Sequence, residues 1–312
     1  AEGSGEAANR MMRLLSLNYV PHQEFVLPAH DSSQVWRLVI GILLVAGIFF
    51  LLTQVIMTTF LGLLGPEITE KILEDGQTGE TVVGMFLVLF QIGLLGVATG
   101  IVCVFLHKRK AITLIGPLRL AVRQFIGVAL ALLVLSLTLW MLPPYGFDEP
   151  LVQNMNKGDW LMLLPFAVIA VFVQSGSEEV FFRGYIQQQL AARFRKSFVW
   201  LVLPAVLFGL GHYMPDSAGS NALTIALWAT VFGLLMADLT ARSGTLGPAI
   251  AVHFFNNFSA IVLVGIPDEM SGLALFVLPF GMSDEGQMAL WLPVDFALIV
   301  VGWLVARLVV RA

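Results

Sequence analysis

Residues 38–64 read LVIGILLVAGIFFLLTQVIMTTFLGLL, a stretch without a single charge. A helix that crosses the hydrocarbon layer needs roughly 20 apolar residues at about 1.5 Å each, and this run exceeds that length. Seven further apolar runs follow: Thr81–Leu106, Phe125–Leu142, Trp160–Val173 with a helical continuation through Ile186, Phe198–Leu210, Leu223–Leu239, Leu246–Val264 and Leu290–Val310. Backbone groups in lipid must satisfy one another, and these runs lack the alternation of a β-barrel strand. The predicted fold is therefore all-α, a polytopic membrane bundle of about eight transmembrane helices. The short stretch Leu273–Phe280, closed by Gly281, predicts a surface-lying or re-entrant piece, an extra interfacial helix rather than a ninth span.

Composition agrees. Of 312 residues, 58% are hydrophobic and 12% charged, with a mean hydropathy of +0.86. Soluble domains carry about 25% charged residues, so lipid is the expected solvent. The net charge of −4 argues against a nucleic-acid partner. Cys103 is the single cysteine, which excludes an internal disulfide and a cysteine zinc cage. Residues 1–37 read as a polar arm, with 1–10 as a leader, and no signal peptide is expected ahead of so long a first run. Residues 38–312 form one transmembrane domain without internal repeats.

The loops alternate in charge. His107–Arg123 holds Lys108, Arg109, Lys110, Arg119 and Arg123 without an acid, and Arg183–Lys196 adds Arg183, Arg193, Arg195 and Lys196. Arg242, Arg307 and Arg311 follow at later ends. Between them lie acidic connections: Glu67 to Glu80, Asp148 with Glu149, Asp216, and Asp268 through Glu285. By the positive-inside rule both termini are expected in the cytoplasm.

An ionisable side chain within a span costs at least ~2.5–3.5 kcal/mol, so each is a functional hypothesis by default. Three clusters stand out. In Ser177-Glu178-Glu179-Val180-Phe181-Phe182-Arg183, the adjacent carboxylates project about 100° apart and cannot easily share one role. Glu179 and Arg183 are one turn apart and can pair. Glu178 has no same-helix basic partner and is the candidate general base. The plainer reading puts both acids at a hydrated helix end. In Phe208-Gly209-Leu210-Gly211-His212, the Phe208 ring can wall the His212 imidazole, and the two glycines admit a neighbouring helix. Alone, such a histidine is usually a water-facing helix end. In His253-Phe254-Phe255-Asn256-Asn257, His253 and Asn257 share a face and can both donate to one small anion, while Asn256 suits interhelical bonding. Asp238, near Arg242, and Asp295 read as helix-end acids, and His22, His30 and His107 carry no site signal.

Together the clusters read E-E-x-x-x-R, F-x-x-x-H and H-x-x-x-N, in that order. This resembles the CPBP family of CAAX prenyl-protease type II enzymes and bacteriocin-processing or self-immunity proteins, including the Ras-converting endopeptidases. The matching positions are Glu178, Glu179 and Arg183, then Phe208 and His212, then His253 and Asn257. The lead-in Ala241-Arg242-Ser243-Gly244-Thr245-Leu246 is also similar, and the family core spans about residues 111–260. The first helices and the acidic loops match no family motif.

The resemblance implies an intramembrane endopeptidase of glutamate type, cutting a membrane-anchored or membrane-embedded, prenylated or unprenylated, peptide or protein in the bilayer of a bacterial or archaeal cell. It implies that Glu178 and His212 activate a water, that His253 and Asn257 hold the oxyanion, and that Glu179, Arg183 and Phe208 support them. No cofactor is expected. The alternatives are a zinc-dependent version of the same hydrolysis, with the histidines as ligands on separate helices, and a non-catalytic membrane immunity or peptide-binding protein. Measured along the runs, Glu178 falls toward the basic end and His212 toward the acidic end of its short span, too far apart to share a water unless the fourth helix extends to about Ile186.

Overall fold

The computed structural model describes residues 19–141, 150–267 and 269–311. The expected leader, the span end at Leu142, and the acids Asp148, Glu149 and Asp268 lie outside the described residues. All eight apolar runs are helices. We number them with their neighbours as α1 (Val20–Val26), α2 (Val35–Leu64), α3 (Pro66–Thr78), α4 (Val82–Phe105), α5 (Leu118–Met141), α6 (Lys157–Arg193), α7 (Ser197–Gly211), α8 (Ala222–Ser243), α9 (Gly247–Phe258) and α10 (Glu285–Val310). Among the described residues six helices are long and apolar enough to cross a membrane, α8 counting with the short turn before it. The other two are shorter: α7 has 15 residues, and α9 runs on as a π-helical turn, Ser259–Leu263. At about 1.5 Å per residue α7 reaches only about 22 Å, short of a hydrocarbon layer of about 30 Å.

Local chemistry sets the ends. Thr81 caps α4 by accepting from the Gly84 N–H at 3.0 Å, and Asn156 caps α6 by accepting from Gly158 and Asp159. Asp284 does the same for α10 through Gln287. α8 stops at Gly244, whose φ of +71° suits a residue without a Cβ, and Pro248 opens α9.

The stretch Leu273–Phe280 departs from expectation. It is neither a helix nor surface-lying: Leu273, Ala274 and Leu278 are buried, and Phe276–Val277 is a strand, β3. β3 pairs antiparallel with β1 (Val152–Gln153) and parallel with β2 (Val264–Gly265). Strands of two residues are too short to show a period in sequence. The additional helix is α3 instead, which carries Glu67, Glu70, Glu74 and Asp75. The small sheet ties the start of α6, the end of α9 and the approach to α10 into one end of the bundle. The opposite end is basic, and there the Leu246 N–H reaches the Ile115 carbonyl at 3.1 Å.

Around the centre, α6 packs between α4 and α9, and α7 lies along α8. A Cβ at Gly209 would overlap the Thr230 hydroxyl, so this glycine does admit α8. Gly211 meets no neighbour within 4 Å, so only one of the two glycines serves packing.

Residues 19–37 of the polar arm are part of the fold. α1 covers the basic end, with His22 buried against Trp200, ring centroids 4.4 Å apart. His107 is buried too, its Nδ1 against Ser32 Oγ (3.0 Å) and Gln189 Nε2 (2.9 Å), its Nε2 against the Tyr185 hydroxyl (2.8 Å). These histidines are packing elements, not the solvated flank that their neighbours in sequence suggested. Asp238 likewise is no free helix end. Its carboxylate accepts from Arg242 Nε (2.8 Å), Tyr19 Oη (2.9 Å) and Trp303 Nε1 (3.0 Å). Asp295 lies ten residues inside α10, three turns from its start, rather than at a helix end.

Candidate active site

Two antiparallel helices carry a ladder of polar rungs. On the first rung His253, from α9, stands between both glutamates of α6: Nδ1 is 2.7 Å from Glu179 Oε1 and Nε2 is 3.2 Å from Glu178 Oε2. One turn toward the sheet end, Asn257 Nδ2 donates to Gln174 Oε1 at 2.9 Å. Steps of four residues on both helices, 178 to 174 and 253 to 257, keep each rung on the facing side.

Glu179 is fully buried, and Arg183 closes the expected ion pair at 2.9 Å with 1% exposure. The guanidinium also donates to the Gly233 carbonyl (3.2 Å) and rests over the Phe208 ring at 4.9 Å. Glu178 differs from expectation in having a partner, since it shares His253 with Glu179. Oε2 is sealed on that side, while the side chain as a whole keeps 13% exposure. The Nδ1 contact to Glu179 is a hydrogen bond and places a proton on Nδ1, while the 3.2 Å contact of Nε2 to Glu178 is an ion-pair distance that suits an imidazolium. Two carboxylates, one guanidinium and one imidazolium then sum to zero charge, the form in which a buried ionic cluster is least costly.

Phe208 joins the clusters. Its ring lies 4.4 Å from the His212 ring and meets His253 edge-on at 5.9 Å; Phe232 closes the other side of His253 at 5.0 Å. His212 Nδ1 is 2.9 Å from the Phe208 carbonyl oxygen. A carbonyl cannot donate, so Nδ1 carries the proton and Nε2 presents a lone pair. His212 is partly exposed and within Coulombic reach of Glu178.

The depth conflict disappears once both helices are measured from their shared turn. Helix α6 runs past Ile186 to Arg193, so Arg183 sits inside the protein and not in the basic loop. Glu178 lies fifteen residues before Arg193, and His212 fifteen residues after Ser197. The hairpin thus brings the two to the same depth.

Several features escaped the sequence reading. Gln174 is 5% exposed, and its spacing of four from Glu178 was the available signal. Both motif helices widen into π-helical turns just past their site residues, at Val180–Gln187 and Ser259–Leu263, a geometry that is rare and often found at functional sites. Asn256 does not reach another helix; its Nδ2 donates to Asn257 Oδ1 at 3.1 Å. Among the described residues no group of three or more His, Cys, Asp or Glu side chains is arranged to hold a metal ion.

Comparison with known proteins converges on the same segment. Residues 160–259 match the family described as type II CAAX prenyl endopeptidase Rce1-like. A protein of Bacillus subtilis (strain 168), named uncharacterized protein YyaK, is 24% identical over 257 residues, which are 80% of this chain and 84% of that protein. No solved structure matches. The matched segment holds all the site residues named above, from Gln174 to Asn257.

Proposed function

We propose that the chain, whose residues 160–259 match the Rce1-like family, is a membrane-embedded protease acting on peptides and that it hydrolyses its substrate by a glutamate-based mechanism. The observation that carries this reading is the rung of Glu178, Glu179 and His253, with His212 one ring away. A water between the Glu178 carboxylate and His212 Nε2 gives a proton to Glu178 while its oxygen attacks the scissile carbonyl carbon. The carbonyl oxygen becomes an oxyanion and takes hydrogen bonds from the Asn257 amide and from His253 Nε2, which swings from Glu178 as that carboxylate gains its proton. The C–N bond then breaks, and Glu178 returns the proton to the leaving amine. Glu179 and Arg183 hold His253 in place, and Phe208 holds both histidines apart from lipid. The substrate is a membrane-anchored or membrane-embedded peptide or protein, which reaches the site from within the bilayer of a bacterial or archaeal cell. The basic end of the bundle faces the cytoplasm, so both termini lie there.

The test is cleavage of a membrane-anchored fluorogenic peptide by purified protein in lipid discs, with and without prior incubation with o-phenanthroline. The expected outcome is turnover that chelation leaves unchanged and that Glu178→Gln abolishes. Chelator inactivation reversed by zinc would instead make the histidines metal ligands. Wild-type turnover by Glu178→Gln would remove the carboxylate from the reaction.

A further inference from the structure

Asn257 carries a carboxamide whose two orientations about its last torsion are nearly equal in shape but opposite in chemistry. In one, the amide offers an N–H to a substrate oxygen; in the other, it offers an oxygen lone pair, which would repel a forming oxyanion. Two neighbours choose between them. Gln174 Oε1 accepts from Asn257 Nδ2 at 2.9 Å, and Asn256 Nδ2 donates to Asn257 Oδ1 at 3.1 Å. Turning the amide over would set acceptor against acceptor at Gln174 and donor against donor at Asn256, losing both contacts at once.

Gln174 is suited to this by its place. It is 5% exposed on a membrane helix, one turn before Glu178, and its carbonyl oxygen reaches Asn257 across the gap between α6 and α9. A buried primary amide is costly without a partner, and this hydrogen bond is the partner that the described residues offer. Asn256 is half-buried beside Asn257 on the same helix, so the cross-helix half of the clamp is Gln174.

Building on the hydrolytic reading above, we infer that Gln174 is a positioning residue, which fixes the Asn257 carboxamide so that its second N–H points at the developing oxyanion. It acts through Asn257 and touches no reacting atom. Its contribution therefore falls on kcat, and it vanishes when Asn257 is gone.

A double-mutant cycle on the purified full chain tests this, using the membrane-anchored peptide and reading kcat, KM and the thermal midpoint of wild type, Gln174→Met, Asn257→Ala and the pair. Methionine keeps the length and volume of glutamine without its acceptor. Gln174→Met is expected to lower kcat by roughly tenfold, less than loss of a whole oxyanion donor, with KM within about twofold. In the Asn257→Ala background the same change is expected to leave kcat within about twofold, because coupled residues are not additive. An equal factor in both backgrounds, or an effect on KM alone, overturns the inference while leaving the hydrolytic reading intact. Wild-type turnover by Asn257→Ala overturns it as well, by removing the residue that Gln174 serves. A wild-type protein that cleaves nothing defeats the hydrolytic reading itself, and the inference with it. Should Gln174→Met fail to accumulate, Gln174→Ala completes the same cycle.

Discussion

Two stretches of α6 bury polar side chains, and they do so in opposite ways. Residues 174–179 keep their charges: Glu178 and Glu179 face His253, and Arg183 neutralises the remainder. Residues 185–189 lie only two turns on, and there the buried groups are neutral. Tyr185 and Gln189 meet His107, Gln187 meets His22, and Gln188 donates to the Phe25 and Thr113 carbonyls, with the partly exposed Arg109 touching Gln188. Burial holds the His22 imidazole down to about 4, and burial with the neighbouring Arg109 does the same for His107. A neutral network costs less than an ionic one and holds the arm on the bundle equally well. Charge is buried elsewhere as well, in the Arg242–Asp238 pair and at Arg307, so what sets the first rung apart is two carboxylates converging on one histidine.

The sharpest way to break this contrast is Glu178→Gln. It keeps the shape and removes the ionisable group, so turnover should fall by at least about 10²–10⁴-fold while the protein stays folded. Melting curves beside peptide cleavage measure both. Arg183→Ala comes next. It leaves the first rung one charge out of balance with Glu179 fully buried, and should cost roughly 3–5 kcal/mol of stability. Folded yield and thermal midpoint report it, and an unaffected midpoint would mean that the cluster is reached by water.

The neutral region is tested by Gly41→Ala. A Cβ there overlaps the Tyr185 hydroxyl, which is fully buried and bound to His107. The expected loss is about 1–3 kcal/mol, with kcat per folded molecule unchanged. The smallest effect concerns pH. The unfolded histidines titrate near about 6.5, whereas His22 and His107 stay neutral in the folded chain, taking up no second proton, until about 4. The unfolded state thus binds more protons in that window, and stability is full above the window and falls as pH drops through it. His107→Gln should flatten the decline of thermal midpoint between pH 6.5 and pH 5 by a few degrees. An identical slope in wild type and variant would show that His107 is already solvated.

The spans were legible because hydropathy is a local property: each run in sequence lies within a few residues of a helix. The site motifs were legible because a spacing of four survives folding, as Glu179 with Arg183 and Phe208 with His212 demonstrate. What depends on distant partners was not. His22 and His107 sit in polar stretches whose burial comes from elements far along the chain, such as Trp200 and Gln189. The helix runs on past Ile186 through Gln188–Arg193, and without that continuation the depth of Glu178 was misjudged. Gln174 looked like any polar residue until Asn257 faced it across two helices.

Helix α7 is the feature with the widest consequence. Hydrolysis consumes a water for each bond cut, and the bilayer interior is nearly dry. Because α7 has only 15 residues and His212 stands at its end, the histidine sits where the wall of the bundle runs out. At about five residues or 8 Å short of a spanning helix, α7 leaves His212 partly exposed at its end, the side from which the proposed hydrolysis would draw its water. On the proposed reading, substrate would come sideways through the membrane and water along its normal. The two reactants would then take separate routes and meet at the last turn of one short helix.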